Sequence, residues 1–238
     1  MLNVKWVALI FRLTAIGLTI WALLLNTGLY GADLSRLRFV DAVHPFLYYT
    51  EQSCVFVLVM FIVLAICTFV SLWDRDKADA CFYPRLQGYV VVYIALNFGV
   101  FWTLLSREYT FAELLLYRNN GVHGAVPLLM FADYFLFCNG GHLKKNDPYY
   151  FTIVPLSYFV FATIIGFMGV TYHTGDGGTR NFPYWFLDYH EQGWMVAVYV
   201  IVICIVYVGL GKLLYAIDRK RKKGLYDKTV TFFFGGKQ

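Results

Sequence analysis

Three stretches of an otherwise apolar chain carry side chains able to do chemistry. The first is His44-Pro45-Phe46-Leu47-Tyr48-Tyr49-Thr50-Glu51-Gln52-Ser53, with a hydroxyl, Thr50, beside an acid and an amide. The second is Asn119-Asn120-Gly121-Val122-His123-Gly124-Ala125-Val126-Pro127, with one imidazole, His123. A hydroxyl and an imidazole are the two parts of a nucleophile–base pair, because threonine attacks poorly until a base takes its proton. Pro127 adds a geometric reason to look at His123. It lacks the N–H owed to the carbonyl four residues back, which is that of His123, and its ring crowds that carbonyl. A kink there opens space, and Gly121 and Gly124 admit close approach by a backbone or a ligand.

The third stretch runs from His173 to Glu191. It begins as a glycine loop (Gly175, Gly177, Gly178) and continues as the aromatic run Phe182-Pro183-Tyr184-Trp185-Phe186-Leu187-Asp188. Aromatics at a membrane boundary ordinarily form an interfacial belt. The proline and acid embedded in this run suit instead a lid or wall over a lipid-binding cavity. His44, His173, Asp176, Asp188 and His190 are zinc-type ligands, but they share no helical spacing, and no metal or other cofactor is expected. There is no GxSxG elbow and no HExxH motif. A lone membrane-helix threonine usually bonds a carbonyl one turn back, so position alone does not make Thr50 a nucleophile.

The elements that must position these residues follow from composition. In 238 residues, 59% are apolar, 20% aromatic and only 15% charged, against roughly 25% charged in soluble domains. The expected fold is all-α, a single polytopic membrane domain over 1–238. Six apolar segments lie near 4–25, 45–73, 86–105, 119–138, 149–172 and 194–214, each near the 20 residues or so that a spanning helix needs. The second covers about 29 residues, or roughly 43 Å of helix, which puts Thr50 near one boundary of the hydrocarbon. Thr50 is expected to share a helix face with Phe46, Leu47, Ser53 and Cys54. Asp133 falls too far along its helix to sit beside His123.

Alternate connections divide the basic residues unequally. One side holds fourteen Lys and Arg, including Lys5, Arg12 and the tail beyond Arg219; the other holds five. The positive-inside rule then places both termini in the cytoplasm, and Thr50, His123 and the aromatic run at the opposite face. The Arg219–Lys223 cluster is read as fixing this topology rather than as a headgroup site, and nothing resembles a nucleic-acid module. The five cysteines are odd in number and lack CxxC spacing, so no disulfide framework is expected; Cys81, in a charged connection, reads as a free thiol.

Phe46-Leu47-Tyr48-Tyr49-Thr50, His123-Gly124-Ala125-Val126-Pro127 and Phe182–Asp188 together resemble motifs of the androgen-induced gene family of six-helix membrane proteins, including its bacterial relatives. Gln52-Ser53 looks like the bacterial branch, while Tyr184-Trp185 departs from the Tyr-Pro of animal members. The resemblance implies a threonine hydrolase acting on fatty acid esters of hydroxy fatty acids, with Thr50 as nucleophile and His123 as base. No orienting acid is evident, so a dyad is expected. The substrate is an amphiphilic lipid ester arriving from the bilayer, contacted by Tyr49, Gln52, Ser53, Asn119, Asn120, Arg180, Pro183, Trp185 and Asp188. Asn119, Asn120 or a loop amide is the expected oxyanion donor. The competing readings are a transporter or lipid-binding protein using the same cavity, a metal-dependent hydrolase, and a structural protein. The location expected is the cell membrane.

Overall fold

A computed structural model describes residues 4–30, 32, 38–74, 79–173 and 178–221. Among the described residues the chain is all-α apart from one short strand pair, and five helices are long and apolar enough to cross a membrane, the architecture of an integral membrane protein. These are α1 (Val4–Asn26), α3 (Tyr49–Ser71), α4 (Pro84–Val100, prolonged by a π turn over Phe101–Leu105), the stretch Asp147–Phe167 formed by α8 (Asp147–Tyr150) and α9 (Ile153–Phe167), and α11 (Met195–Lys220). A sixth apolar stretch, Gly121–Phe137, is shorter. It joins α6 (Tyr117–Asn120), a π turn over Gly121–Ala125, and α7 (Val126–Phe137). Short helices α2 (Phe39–Val43), α5 (Phe111–Leu115) and α10 (Tyr189–Gln192) lie in connections, and β1 (Tyr172–His173) pairs antiparallel with β2 (Thr179–Arg180).

Helix α1 packs along α3 by one small-residue stripe. Ala8, Ala15 and Ala22 recur every seven residues and are fully buried, with Thr19 between them. Small residues let helix backbones approach where no hydrophobic effect drives association. The stripe continues to the π turn at Gly121, where an added Cβ would lie 2.8 Å from that of Ala22. A row of large apolar side chains on each of α1, α9 and α11 faces outward, Ile10, Val160 and Ile205 among them. That is the pattern of helices solvated by lipid rather than water.

Two expectations need correction here. The second segment is not one helix from residue 45. Pro45 starts a 3₁₀ turn over His44–Leu47, Tyr48 is extended at ψ 147°, and α3 begins afresh at Tyr49. Thr50 therefore lies in the first turn of α3, and Phe46 and Leu47 belong to a different element. Arg12 is not a flanking surface charge. It is fully buried, its guanidinium forking onto Asp133 (Nε to Oδ1 2.8 Å, Nη2 to Oδ2 3.1 Å). It also donates to Thr68 Oγ1 and to the Ala80 carbonyl. Gln87 Nε2 donates to the same carboxylate. Lys5 is likewise drawn in, donating to the carbonyls of Ser71 and Asp74. Arg221 is buried against the carbonyls of Phe135 and Cys138, not offered to headgroups. The remainder of the basic tail, 222–238, lies outside the described residues.

A buried ion pair offers little net stability over apolar packing, but removing one partner strands a charge in a medium that cannot solvate it. Arg12→Ala should therefore destabilise the protein by ~3–5 kcal/mol, read as a lower unfolding midpoint in detergent. Arg12→Met combined with Asp133→Leu should recover most of that loss. A double variant no more stable than the single one would contradict this account.

Candidate active site

Pro127 organises the site. Val126 N–H bonds to the Gly121 carbonyl, five residues back, so the turn around His123 is a π turn. Two carbonyls are then left without helical donors. Val122 O would look to Val126 in an α turn or to Pro127 in a π turn; the first is engaged elsewhere and the second has no N–H. The α-helical donor for His123 O is the same missing N–H of Pro127. In an apolar surrounding such groups must find partners. Asn97 Nδ2 donates to Val122 O at 2.9 Å, with the Cys54 thiol 3.6 Å from the same oxygen. Trp102 Nε1 donates to His123 O at 3.0 Å. Both donors come from α4 and its own π turn, so the two widened turns, of a kind frequent at functional sites, lock together.

This exchange fixes the imidazole. With Nδ2 of Asn97 committed to a carbonyl, its Oδ1 faces the other way and accepts two hydrogen bonds: from Thr50 Oγ1 at 3.1 Å and from His123 Nδ1 at 3.0 Å. An amide oxygen only accepts. His123 therefore carries its proton on Nδ1, which leaves Nε2 with a lone pair. The ring lies flat on Phe101, centroids 3.6 Å apart and planes within 6°. Thr50, Asn97 and His123 are all buried.

Thr50 and His123 thus come together, through Asn97 and not by a direct hydrogen bond. Asn97 was missed in the sequence. The signal was present: an amide inside the apolar stretch from Pro84 to Leu105, where an unpaired polar group is costly. No orienting acid was expected for the pair; the structure places an amide, Asn97, between the two side chains.

A small cavity of about 70 Å³ opens beside these residues. Tyr49, Thr50, Asn97 and Tyr184 supply its polar atoms, and Leu96, Val100, Tyr158, Phe159, Val200 and Ile203 are among its apolar walls. His123 lies behind Asn97, outside this lining. The aromatic run does wall the cavity, but through Tyr184, Phe186 and Leu187. It docks on α9 at Gly166, where an added Cβ would lie 2.4 Å from the Phe182 ring. Tyr184 Oη accepts the Tyr49 N–H at 3.1 Å, capping α3, and interacts with the Thr50 hydroxyl and N–H as well. Burial raises the pKa of its phenol, so Tyr184 stays protonated and remains a donor.

Of the other expected contact residues, Tyr49 lines the cavity and gives its hydroxyl to the Tyr93 carbonyl. The rest are placed differently. Gln52 donates to Phe46 O, and Ser53 to Thr50 O. Asn119 and Asn120 donate to the carbonyls of Glu113 and Leu114, which closes the connection around α5. Pro183 is buried, Trp185 packs edge-on against Tyr199, and Asp188 caps α10 through the His190 N–H. Arg180 sits on β2 opposite Tyr172. His44 Nε2 donates to the Thr171 carbonyl. The side chain of His173 and residues 174–177, with the expected glycine loop and Asp176, lie outside the described residues. Asp133 is engaged with Arg12 and Gln87, well separated from His123.

No family model, curated protein or solved structure matches the chain.

The tautomer argument is open to direct measurement. In ¹⁵N-histidine-labelled protein, the His123 ring should show a protonated Nδ1 and a bare Nε2. Asn97→Leu should abolish that preference and, by removing the amide donor to Val122 O and the acceptor for the Thr50 hydroxyl, cost ~1–3 kcal/mol. An unchanged His123 spectrum in that variant would show that Asn97 does not set the tautomer.

Proposed function

We propose that the protein is a membrane-embedded lipid ester hydrolase, with Thr50 as nucleophile, His123 as base and Asn97 positioning both. The observation that carries this reading is the Asn97 Oδ1 shared by the Thr50 hydroxyl and the His123 ring on the wall of a largely apolar cavity. The resemblance of Phe46–Thr50 and His123–Pro127 to the androgen-induced gene family leads to the same pair. It also suggests fatty acid esters of hydroxy fatty acids as the substrate class. In this reading Gly121–Phe137 forms a sixth span, both termini are cytoplasmic, and the site faces the other side of the cell membrane. With Lys5 and Arg12 removed from the count, the basic excess still favours that orientation.

The Thr50 hydroxyl and His123 Nδ1 both rest on Asn97 Oδ1, so the ring as well as the hydroxyl must turn before the unprotonated Nε2 can take the Thr50 proton. Threonine in a helix divides between two χ1 rotamers, and catalytic hydrogen bonds often tighten only with substrate bound. Thr50 Oγ1 then bonds the ester carbonyl carbon while its proton passes to His123. The imidazole returns that proton to the departing alkoxide, and water releases the acyl group from Thr50 in a second step. The carbonyl oxygen gathers negative charge during attack. The Tyr184 hydroxyl and the Thr50 N–H, both beside Thr50 Oγ1 at the positive end of α3, are placed to receive it. The acyl chain lies among Leu96, Val100 and Ile203, residues shared with a second, almost wholly apolar cavity of about 540 Å³ between α4, α7 and α11.

Purified protein in detergent should hydrolyse a panel of long-chain esters, and Thr50→Ala or His123→Ala should reduce the rate to background with the unfolding midpoint preserved. Tyr184→Phe keeps the ring and loses only the hydroxyl. It should lower kcat by ~10²-fold, the loss typical of one oxyanion donor, with KM changed little. Hydrolysis that survives Thr50→Ala would remove the nucleophile. No turnover of any ester, with saturable binding of one, would move the reading to a lipid-binding or transport protein.

A further inference from the structure

The end of the bundle that holds Arg12 and Asp133 also holds two thiols that the proposed chemistry does not use. Cys81 is half-buried in the turn before α4, and Cys138 is buried at the end of α7. They are 57 positions apart in the chain, yet the Cys81 thiol donates to Cys138 Sγ at 2.8 Å. The Cys138 thiol donates in turn to Gln87 Oε1 at 2.8 Å. The turn that delivers Cys81 has a defined shape. Tyr83 takes the left-handed conformation (φ 48°, ψ 45°) directly before Pro84, the only non-glycine residue with positive φ among the described residues. Both partners are therefore fixed, one by a strained turn and the other by a helix end. No other pair of the five cysteines is joined by a hydrogen bond among the described residues.

We propose that Cys81 and Cys138 form a redox modification site, which closes to a disulfide by exchange with a small aliphatic disulfide such as oxidised glutathione. Cys81 is the accessible partner and attacks first. Its thiolate bonds one sulfur of the reagent, and one glutathione leaves as its thiolate, which takes up a proton. The Cys138 thiol then loses its proton, its sulfur attacks Cys81 Sγ, and the second glutathione departs as the leaving thiol. Two electrons and two protons pass from the cysteine pair to the reagent, which ends as two thiols. The new bond ties the α3–α4 connection to the end of α7. It also removes the Cys138 hydrogen bond to Gln87, a ligand of the Asp133 carboxylate beside Arg12. The site stands on its own geometry and does not depend on the esterase reading.

The test uses the full-length protein in detergent, equilibrated in glutathione buffers of increasing oxidised fraction, quenched with acid, alkylated under denaturing conditions so that the buried Cys54 and Cys138 also react, and mapped by mass spectrometry. The expected result is a cross-linked Cys81–Cys138 peptide, with two fewer alkylated thiols per chain and Cys54, Cys67 and Cys204 still alkylated. The oxidised wild type should also unfold at a higher temperature than the reduced form, a shift absent from both Cys81→Ser and Cys138→Ala. A stable glutathione adduct on Cys81 without the cross-link would overturn the proposal. So would full alkylation of all five cysteines in the most oxidised buffer. Both readings come from the wild type, so the test holds even if a variant folds poorly.

Discussion

Inside a membrane a backbone carbonyl without a donor has nowhere to turn, and Pro127 creates two of them. The missing N–H could have been tolerated as a simple kink. Here the chain widens into a π turn, and α4 supplies the replacements, Asn97 for Val122 O and Trp102 for His123 O. Everything distinctive about the site descends from that repair. It brings α4 hard against the His123 turn, it sets which way the Asn97 amide faces, and it thereby sets the imidazole tautomer. Gly121 completes the arrangement from the other side by letting α1 press on the same turn at Ala22.

The bundle thus has two polar centres separated by apolar packing. One is neutral and cavity-lined, built on Thr50, Asn97 and His123. The other is ionic and closed, built on Arg12, Asp133, Thr68 and Gln87. The ionic centre draws on α1, α3, α4 and α7 together, so it fixes how those helices are rotated about their axes. Rotating α4 enough to move Gln87 from Asp133 would also carry Asn97, ten residues on, away from Thr50. The ionic centre therefore holds the register on which the neutral one relies, whatever its net contribution to stability.

Much of this was legible in the sequence. Apolar lengths gave the long helices to within a few residues at most ends, and Pro127 pointed to distortion at His123. Thr50 and His123 were noticed from residue type and placement and paired through the family resemblance. What escaped notice depended on contacts distant in sequence. Asn97 is an unremarkable amide until the carbonyl it serves is known. Arg12, near a chain end, reads as a flanking charge until Asp133 is found facing it. Asn119 and Asn120 looked available because their partners, the carbonyls of Glu113 and Leu114, belong to a connection whose path no periodicity reveals. Tyr48 broke a helix that apolar length alone had made continuous.

Tyr184 joins two structures that a movable lid would need to keep apart. Its hydroxyl caps the first turn of α3, and its ring belongs to the cavity wall. Swinging the aromatic run aside would bare the Tyr49 N–H in a medium of low dielectric. On its other side the cavity is bounded by Pro155, Leu156 and Phe159 of α9 and Val200 and Ile203 of α11, apolar side chains that lipid can wet. A bulky guest therefore meets less resistance from the side than from above. For the substrate proposed above, arrival would be governed by how tightly the surrounding acyl chains are packed, and by mole fraction in the bilayer plane, not by concentration in the aqueous phase.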